Sequence, residues 1–207
     1  MEGVRRRVLA KVPKEGGPAQ RLRMMADKIR YEKRILELFR GAKTRLMTKY
    51  FHTTQAKFKY SPYLLMDIIP GRPISEEYLS RKESLSLVTK IAWLMGAING
   101  VKFLEDYGVG HMDLSPNNLM VARSNQIKMI DFGEAYHSAV TRPFVSRLSS
   151  QPVKWSYCPG RTFPYAPPET SIRNFDLGSQ QDVFSLGMLA LFLLLGQAPI
   201  NCSDHTN

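Results

Sequence analysis

The segment from residue 111 to 133 constrains the fold more than any other part of the chain, because two polar loops enclose a pair of short strand-like runs there. The first loop reads His-Met-Asp-Leu-Ser-Pro-Asn-Asn, and Asp131-Phe132-Gly133 follows the second run. A loop this short must aim the side chains of Asp113 and Asn118 into the same cleft. The pattern therefore predicts a cleft lined by carboxylate and amide groups.

Hydrophobic periodicity predicts the elements around that segment. Apolar residues recur at helical spacing over Ala19–Arg40 and from Leu85 to about Tyr107, and a strongly apolar helix begins near Asp182. Gly41 is a candidate helix stop. The strand-like runs are Val8–Val12, Arg45–His52, Tyr60–Ile69, Leu119–Ala122 and Ile127–Ile130. Pro70-Gly71-Arg72-Pro73 breaks the chain, and we place the boundary between a strand-rich and a helical part there.

Composition indicates a globular intracellular protein. Apolar residues make up 43% of the 207 residues, which is too many for a disordered chain. Two cysteines, Cys158 and Cys202, do not make a disulfide framework. No run reaches the roughly 20 uninterrupted apolar residues of a membrane span. We therefore expect a cytoplasmic location and no membrane span.

The charge of +11 is concentrated at the front of the chain, where residues 1–60 carry 17 Lys and Arg against 5 Asp and Glu. Such a surface could meet nucleic acid or an anionic membrane. No zinc-finger spacing or aromatic-basic RNA motif accompanies it. Nucleic-acid binding is the least favoured alternative, and a solvated basic face beside a phosphate site is preferred.

The two polar loops resemble motifs of the eukaryotic-type, Ser/Thr-like protein kinase family. Residues 111–118 resemble its catalytic loop, H-R-D-L-x-x-x-N, and Asp131-Phe132-Gly133 resembles its D-F-G motif. The resemblance implies that Asp113 orients the substrate hydroxyl and that Asn118 and Asp131 bind Mg²⁺. Either motif alone would be a weak signal, but chance rarely produces both in this order.

Upstream residues resemble the part of the family that binds ATP. Val8-Leu9-Ala10-Lys11 resembles V-A-I-K, which implies that Lys11 contacts the phosphates and is held by Glu32, in the helix that resembles the family's C helix. The run from Leu64 to Gly71 resembles the strand and hinge that receive adenine. By that match Met66 is the gatekeeper, the backbone of Asp67 to Ile69 hydrogen-bonds adenine, and Met120 is a further residue of the nucleotide site.

Downstream residues resemble the segments that receive a protein substrate. The run from Thr162 to Glu169 resembles the end of the activation segment and implies that Thr162 lies near the catalytic carboxylate. The run from Asp182 to Gly187 resembles the start of the central buried helix, where Asp182 would cap the helix and brace the catalytic loop.

The resemblance implies an α+β, bilobed protein-kinase-like fold that is partial at both ends. Residues 1–70 would form a partial N-lobe, with the third strand, the C helix and the fourth and fifth strands of the family, and residues 71–207 a partial helical C-lobe. The expected activity is Mg²⁺-dependent transfer of the ATP γ-phosphoryl group to a protein Ser or Thr hydroxyl. ATP, Mg²⁺ and a protein substrate are the expected partners, and no oligomeric state is indicated.

Several residues depart from the family pattern. No Gly-rich loop precedes Lys11, and the chain stops soon after the apolar helix, so we expect an incomplete domain. Met112 and Ser115 stand where the catalytic loop usually has Arg and Lys, and Leu9 replaces a small alanine beside the adenine site. These departures keep two alternatives open: a pseudokinase or kinase fragment that acts as a binding scaffold, and a small-molecule kinase of similar fold.

Overall fold

The computed structural model describes residues 8–13, 19–42, 46, 50–52, 62–141, 162, 164–168 and 180–197. The expectations for Glu169 and for most of the activation segment lie outside these residues. Described elements are numbered here in chain order.

The front of the chain forms a three-stranded antiparallel sheet with one helix. The elements are β1 (Val8–Lys11), α1 (Ala19–Leu38), β2 (Tyr50–His52) and β3 (Leu64–Asp67). β3 lies in the middle, and Lys11 stands opposite Leu64 at the end of β1. α1 ends in a turn in which Gly41 adopts a φ of +93°, a left-handed conformation that favours glycine. The predicted helix is confirmed, and each of the three predicted strand runs contains a strand within its described residues.

A second antiparallel sheet begins at Gly71, within the Pro-Gly-Arg-Pro segment that we expected to interrupt regular structure, so residues 71–73 form a strand instead of an irregular break. β4 (Gly71–Pro73) pairs with β5 (Leu119–Ala122), which pairs with β6 (Ile127–Met129). Glycine allows this approach, because a Cβ on Gly71 would lie 2.0 Å from the carbonyl oxygen of Val121. The helix α2 (Ile74–Arg81) follows directly, and the sequence patterns did not predict it.

Two long helices pack together behind the second sheet. α3 (Leu87–Asp106) starts at Ser86, whose hydroxyl accepts from Thr89 N at 3.2 Å, and α4 (Gln180–Leu195) is the strongly apolar helix. Two glycines bring α3 close to β6, because a Cβ on Gly96 or Gly100 would lie 2.8 Å from Ile127 or Met129 respectively. Both predicted helices are confirmed.

Of the described helices, α3 is the one whose length and composition alone would suffice to cross a membrane. A core helix passes the same test. One row of α3 is buried in the packing against β6 and α4, namely Trp93, Ala97, Val101 and Leu104.

An aromatic cluster joins the front of the chain to the helices behind it. Phe39, just after α1, lies 5.7 Å from Phe103, 5.2 Å from Tyr107 and 6.0 Å from Phe132, measured between ring centroids. Phe132 directly follows Asp131, which lines the cleft described below. The assignment of residues 1–70 and 71–207 to two partial lobes stays a prediction.

Candidate active site

One ammonium group at the end of β1 joins two carboxylates that lie far apart in the sequence. Lys11 Nζ donates to Glu32 Oε2 at 2.6 Å and to Asp131 Oδ1 at 2.7 Å. Glu32 projects from α1 and is almost fully buried, and its other oxygen accepts from the amide of Phe132 at 3.1 Å. The pairing expected from the sequence is therefore present, and the phosphate-binding role of Lys11 stays a prediction.

Burial and charge act against each other on these three groups. Burial lowers the pKa of Lys11, but the adjacent Glu32 and Asp131 outweigh it and hold that pKa above its ordinary value. Burial raises the pKa of Glu32, and Lys11 opposes this effect only in part. For Asp131 burial also raises the pKa, but Lys11 and the amide of Gly133 outweigh it, and the pKa is lowered. A charged lysine with an ionised Asp131 is therefore the favoured state.

The polar loop brings Asp113 and Asn118 together, as its length predicted. Asn118 Nδ2 donates to the carbonyl oxygen of Asp113 at 2.7 Å and to its Oδ2 at 3.0 Å. The amide of Thr162 donates to Asp113 Oδ1 at 2.7 Å. Asn118 is also tied to the strand before Asp131, because Ile130 N donates to its carbonyl oxygen at 3.0 Å. The Thr162 backbone thus lies at the expected carboxylate.

Helix α4 holds the same loop from behind. The carboxylate of Asp182 accepts from His111 N at 2.6 Å and from Met112 N at 2.9 Å, and Met112 has a left-handed φ of 67°. Such a backbone costs about 1–2 kcal/mol in an L-residue, so it needs fixed partners of this kind. The expected brace by Asp182 is present. Asp182 lies in the first turn of a helix that already begins at Gln180, so the capping position we expected for it was wrong.

The residues expected at the adenine site line one cavity of about 580 Å³. Met66, Asp67 and Ile69 form one wall, and Met120 with Ile130 contributes the side made by the second sheet. Leu9, Ala10, Lys11, Val12, Ile68, Glu32 and Asp131 complete the lining. An apolar slot with charged groups at one end suits a flat aromatic ring that carries anionic phosphates.

A second cavity of about 280 Å³ adjoins the first at Lys11, Glu32 and Asp131. Asp113 lines it too, so both acidic side chains of the two polar loops face one space. Lys28 and Glu134, which form an ion pair, stand at its other side. The cavity could hold the reacting ends of a nucleotide and an acceptor hydroxyl.

The donor set fits a magnesium ion that is shared with phosphate. Within the described residues, no three His, Cys, Asp or Glu side chains form a metal-binding group. Magnesium rarely has such a protein cage and is usually held by one or two carboxylates, waters and substrate phosphates. Asp131 offers a carboxylate that is 49% exposed, and the bonds made by Asn118 Nδ2 leave its amide oxygen as the coordinating atom.

The two residues of the polar loop that depart from the family pattern are buried in the structure. Ser115 and Met112, which stand where the family usually has cations, are both buried, with 1% and 4% of their surface exposed. Within the described residues, the Ser115 hydroxyl has no hydrogen-bond partner. The lysines that line the second cavity are Lys11 and Lys28, and both are already paired with carboxylates.

Sequence reasoning missed two contacts near the site. Tyr31, next to Glu32 in α1, is buried against residues 135–141, and Lys28 pairs with Glu134. The helical spacing of Lys28, Tyr31 and Glu32 could have indicated one shared face of α1. Their partners lie more than 100 residues away, so nothing local in the sequence identifies them.

Comparison with known proteins defines the class to which this site belongs. A family model described as "Protein kinase domain" matches residues 11–207. The match covers nearly the whole chain and includes Lys11, Glu32, Asp113, Asn118 and Asp131. The chain belongs to the protein kinase domain family, and its α+β fold is a partial form of that domain.

The relatives that match at low identity are kinases by name, and one of them is named a serine/threonine-protein kinase. The chain is 27% identical over 195 residues to a putative ribosomal protein S6 kinase alpha-2 from Caenorhabditis elegans, covering 87% of this chain and 23% of that protein. It is 36% identical over 102 residues to the serine/threonine-protein kinase chk1 of Schizosaccharomyces pombe, covering 49% of this chain and 18% of that protein. The chain is also 27% identical over 151 residues to sperm motility kinase 1 from Mus musculus, and this match covers 70% of this chain and 28% of that protein. The chain thus spans about a quarter of the length of these relatives.

Proposed function

We propose that this chain transfers the γ-phosphoryl group of ATP to a Ser or Thr hydroxyl of a protein substrate in a Mg²⁺-dependent reaction. The observation that carries the proposal is the meeting of Lys11, Glu32 and Asp131 beside Asp113 and Asn118, around two adjoining cavities. Phosphoryl transfer depends mainly on positioning and charge stabilisation, and these groups can supply both.

Each residue has a role that its surroundings support. The apolar slot between Leu9, Met66 and Met120 receives the adenine ring, and Lys11 neutralises phosphate charge while Glu32 holds its ammonium group in place. Asp131 and Asn118 would hold Mg²⁺, which supplies further positive charge to the phosphates.

Asp113 orients the acceptor hydroxyl. Its two carboxylate oxygens each accept one hydrogen bond, from Thr162 N and from Asn118 Nδ2, which fixes the rotamer. Each oxygen keeps a second lone pair, so one of them can accept the proton of the substrate hydroxyl. We place the reaction in the cytoplasm, because the two cysteines of the chain suit a reducing compartment.

The test is a phosphorylation assay with labelled ATP, Mg²⁺ and a generic acceptor protein such as casein. Asp113→Asn should reduce incorporation by about 10²-fold or more, because general-base catalysis typically contributes 10²–10⁴. Asp106→Asn, at the far end of α3, is the matched control and should match the wild type. Phosphoamino-acid analysis should find phosphoserine or phosphothreonine. Equal incorporation by wild type and Asp113→Asn would refute catalysis by this site.

A nucleotide-binding scaffold is the second candidate, and the buried Ser115 favours it. A missing cation beside the transferring phosphate could lower the rate by about 10²–10³. ATP binding by the wild type without any incorporation that depends on Asp113 would establish this second function. A small-molecule kinase is less favoured, because the relatives are protein kinases by name.

A further inference from the structure

Tyr31 is a buried tyrosine on α1 that the catalytic roles above do not use. Only 1% of its surface is exposed. Its hydroxyl contacts the carbonyl oxygen of Ala135 and lies 2.7 Å from Thr141 Oγ1. Both partners belong to the segment that follows Asp131-Phe132-Gly133. A phenol placed in a core needs such partners, because an unpaired buried hydroxyl is costly.

The direction of these hydrogen bonds can be assigned. A carbonyl oxygen only accepts, so Tyr31 donates its one proton to Ala135. Thr141 must then donate to the Tyr31 oxygen, and Thr141 Oγ1 in turn accepts from His137 N at 2.9 Å. The result is a directed chain from His137 through Thr141 and Tyr31 to Ala135, in which every donor is used.

That segment is itself fixed to the start of the catalytic loop. Tyr136 and Gly110 exchange two backbone hydrogen bonds, of 2.8 Å and 2.9 Å, and form an isolated antiparallel bridge. His111, which follows Gly110, donates its amide to Asp182. Tyr31 therefore connects α1 to backbone that is anchored on the Asp113 side of the cleft.

Tyr31 also stands at the point of α1 that matters for Lys11. It precedes Glu32, and Lys28, one turn earlier on the same face, pairs with Glu134. The far end of α1 is held separately, by the aromatic contacts of Phe39. The hydroxyl contact is thus a buried polar attachment of the half of α1 that leads into Glu32.

We propose that Tyr31 is a positioning residue: its hydroxyl holds α1 against residues 135–141 and thereby keeps the Glu32 carboxylate on Lys11. The inference rests on the proposed function: its rate effects need phosphoryl transfer, and its binding effects need only the nucleotide site at Lys11 and Glu32. If the proposal holds, nucleotide affinity depends on the Tyr31 hydroxyl, although Tyr31 does not line the nucleotide cavity.

The experiment combines Tyr31→Phe with Glu32→Gln and measures the affinity of a non-hydrolysable ATP analogue with Mg²⁺, kcat and thermal stability. In the wild-type background Tyr31→Phe should weaken nucleotide binding or lower kcat by about tenfold, the size of one lost buried hydrogen bond. In the Glu32→Gln background it should change neither, because the carboxylate through which it acts has gone. Thr141→Val should give a similar loss, and the Tyr31→Phe/Thr141→Val double variant no more than either single one.

Tyr78→Phe is the matched control. Tyr78 is another buried tyrosine, on α2, with its hydroxyl 3.3 Å from Lys90 Nζ, and the loss of this hydroxyl should leave nucleotide binding and kcat unchanged.

An undiminished affinity and kcat in Tyr31→Phe, or an equal loss with and without Glu32, would overturn the proposal. A merely structural role would lower stability and affinity alike in both backgrounds. A wild type that binds the analogue but transfers no phosphate would refute the proposed function, and the affinity measurements would still decide the role of Tyr31.

Discussion

At the scale of single residues, the Lys11 ammonium is the group on which most of the site converges. Two carboxylates from different elements share it, one buried and one partly open to solvent. Because Glu32 is desolvated, loss of the positive charge would leave a buried carboxylate without compensation. The protonation state of Lys11 therefore affects both the stability of the folded protein and the arrangement of Glu32 and Asp131 in the site.

This arrangement predicts a pH dependence that belongs to Lys11. Its pKa lies above the ordinary value of 10.5 in the folded protein, so its stabilising contribution is complete below pH 10.5 and is lost as the pH rises through the folded pKa. We expect the difference in free energy of unfolding between wild type and Lys11→Met to stay constant from pH 9 to about pH 10.5 and to shrink above that, towards about pH 12. Urea titrations at a series of pH values measure it.

The control for that series is Lys102→Met, which removes an exposed lysine of α3. Its difference from the wild type should stay small and flat over the same range. A Lys11→Met difference that stays constant up to about pH 12 would contradict a stabilising contribution from the charged lysine.

At the scale of elements, α4 stabilises a loop that it does not adjoin in the chain. The carboxylate of Asp182 accepts hydrogen bonds from two consecutive buried amides, those of His111 and Met112, which lie 70 residues or more away in the sequence. Hydrogen bonds to a charged group are among the stronger ones in proteins. The conformation of the polar loop at residues 111–118 therefore depends on the first turn of α4.

Asp182→Asn should consequently destabilise the protein by about 3 kcal/mol, because one amide loses its acceptor and faces an NH₂ group. Phosphate transfer should fall with it, since the loop carries Asp113. Chemical denaturation and the casein assay measure the two effects. Asp27→Asn, which breaks the surface pair with Arg30, is the isosteric comparison and should cost at most about 0.5 kcal/mol. Similar losses in the two variants would contradict the bracing role.

Some elements could be read from the sequence, and the reasons for the failures are physical. Long amphipathic or apolar helices and strand runs with flanking turns carry their own signal, which is why α1, α3, α4, β5 and β6 were predicted. β4 was missed because Gly and Pro are poor strand formers. The need for glycine at residue 71 becomes visible only in the structure, where the backbone of Val121 leaves no room for a Cβ. α2 has eight residues, which are too few for periodicity to decide.

The candidate site divides in the same way. Asp113, Asn118 and Asp131 were expected together because their motifs are short and ordered along the chain. The Tyr31–Thr141 contact joins residues 110 apart, and no local pattern specifies such a partner. The brace by Asp182 was expected from the resemblance alone, and its two-amide geometry needed the structure.

At the scale of the whole molecule, the cleft joins two sheets that share no strand. Its walls come from β1 and β3 on one side and from β5 and the Asp131 loop on the other. A ligand that fills it must contact both sides at once. Binding should therefore stabilise the folded protein as a unit rather than one part of it.

We expect an ATP analogue with Mg²⁺ at about 100 times its dissociation constant to raise the free energy of unfolding by about 2.7 kcal/mol. Lys11→Met should lose most of this gain at the same ligand concentration, and Lys102→Met should keep it. Thermal shift and denaturant titrations provide the measurement. A stabilisation of Lys11→Met equal to that of the wild type would place the nucleotide elsewhere.

The paired amides at Asp182 have a consequence for motion in this molecule. A loop that is clamped by one side chain of a core helix can shift only together with that helix. The opposite side of the cleft is attached through the two ion pairs of Lys11 and through the contacts of α1. Opening and closing of the cleft should therefore be asymmetric. The loop that carries Asp113 should stay in place, and the sheet that carries Lys11 should move relative to it.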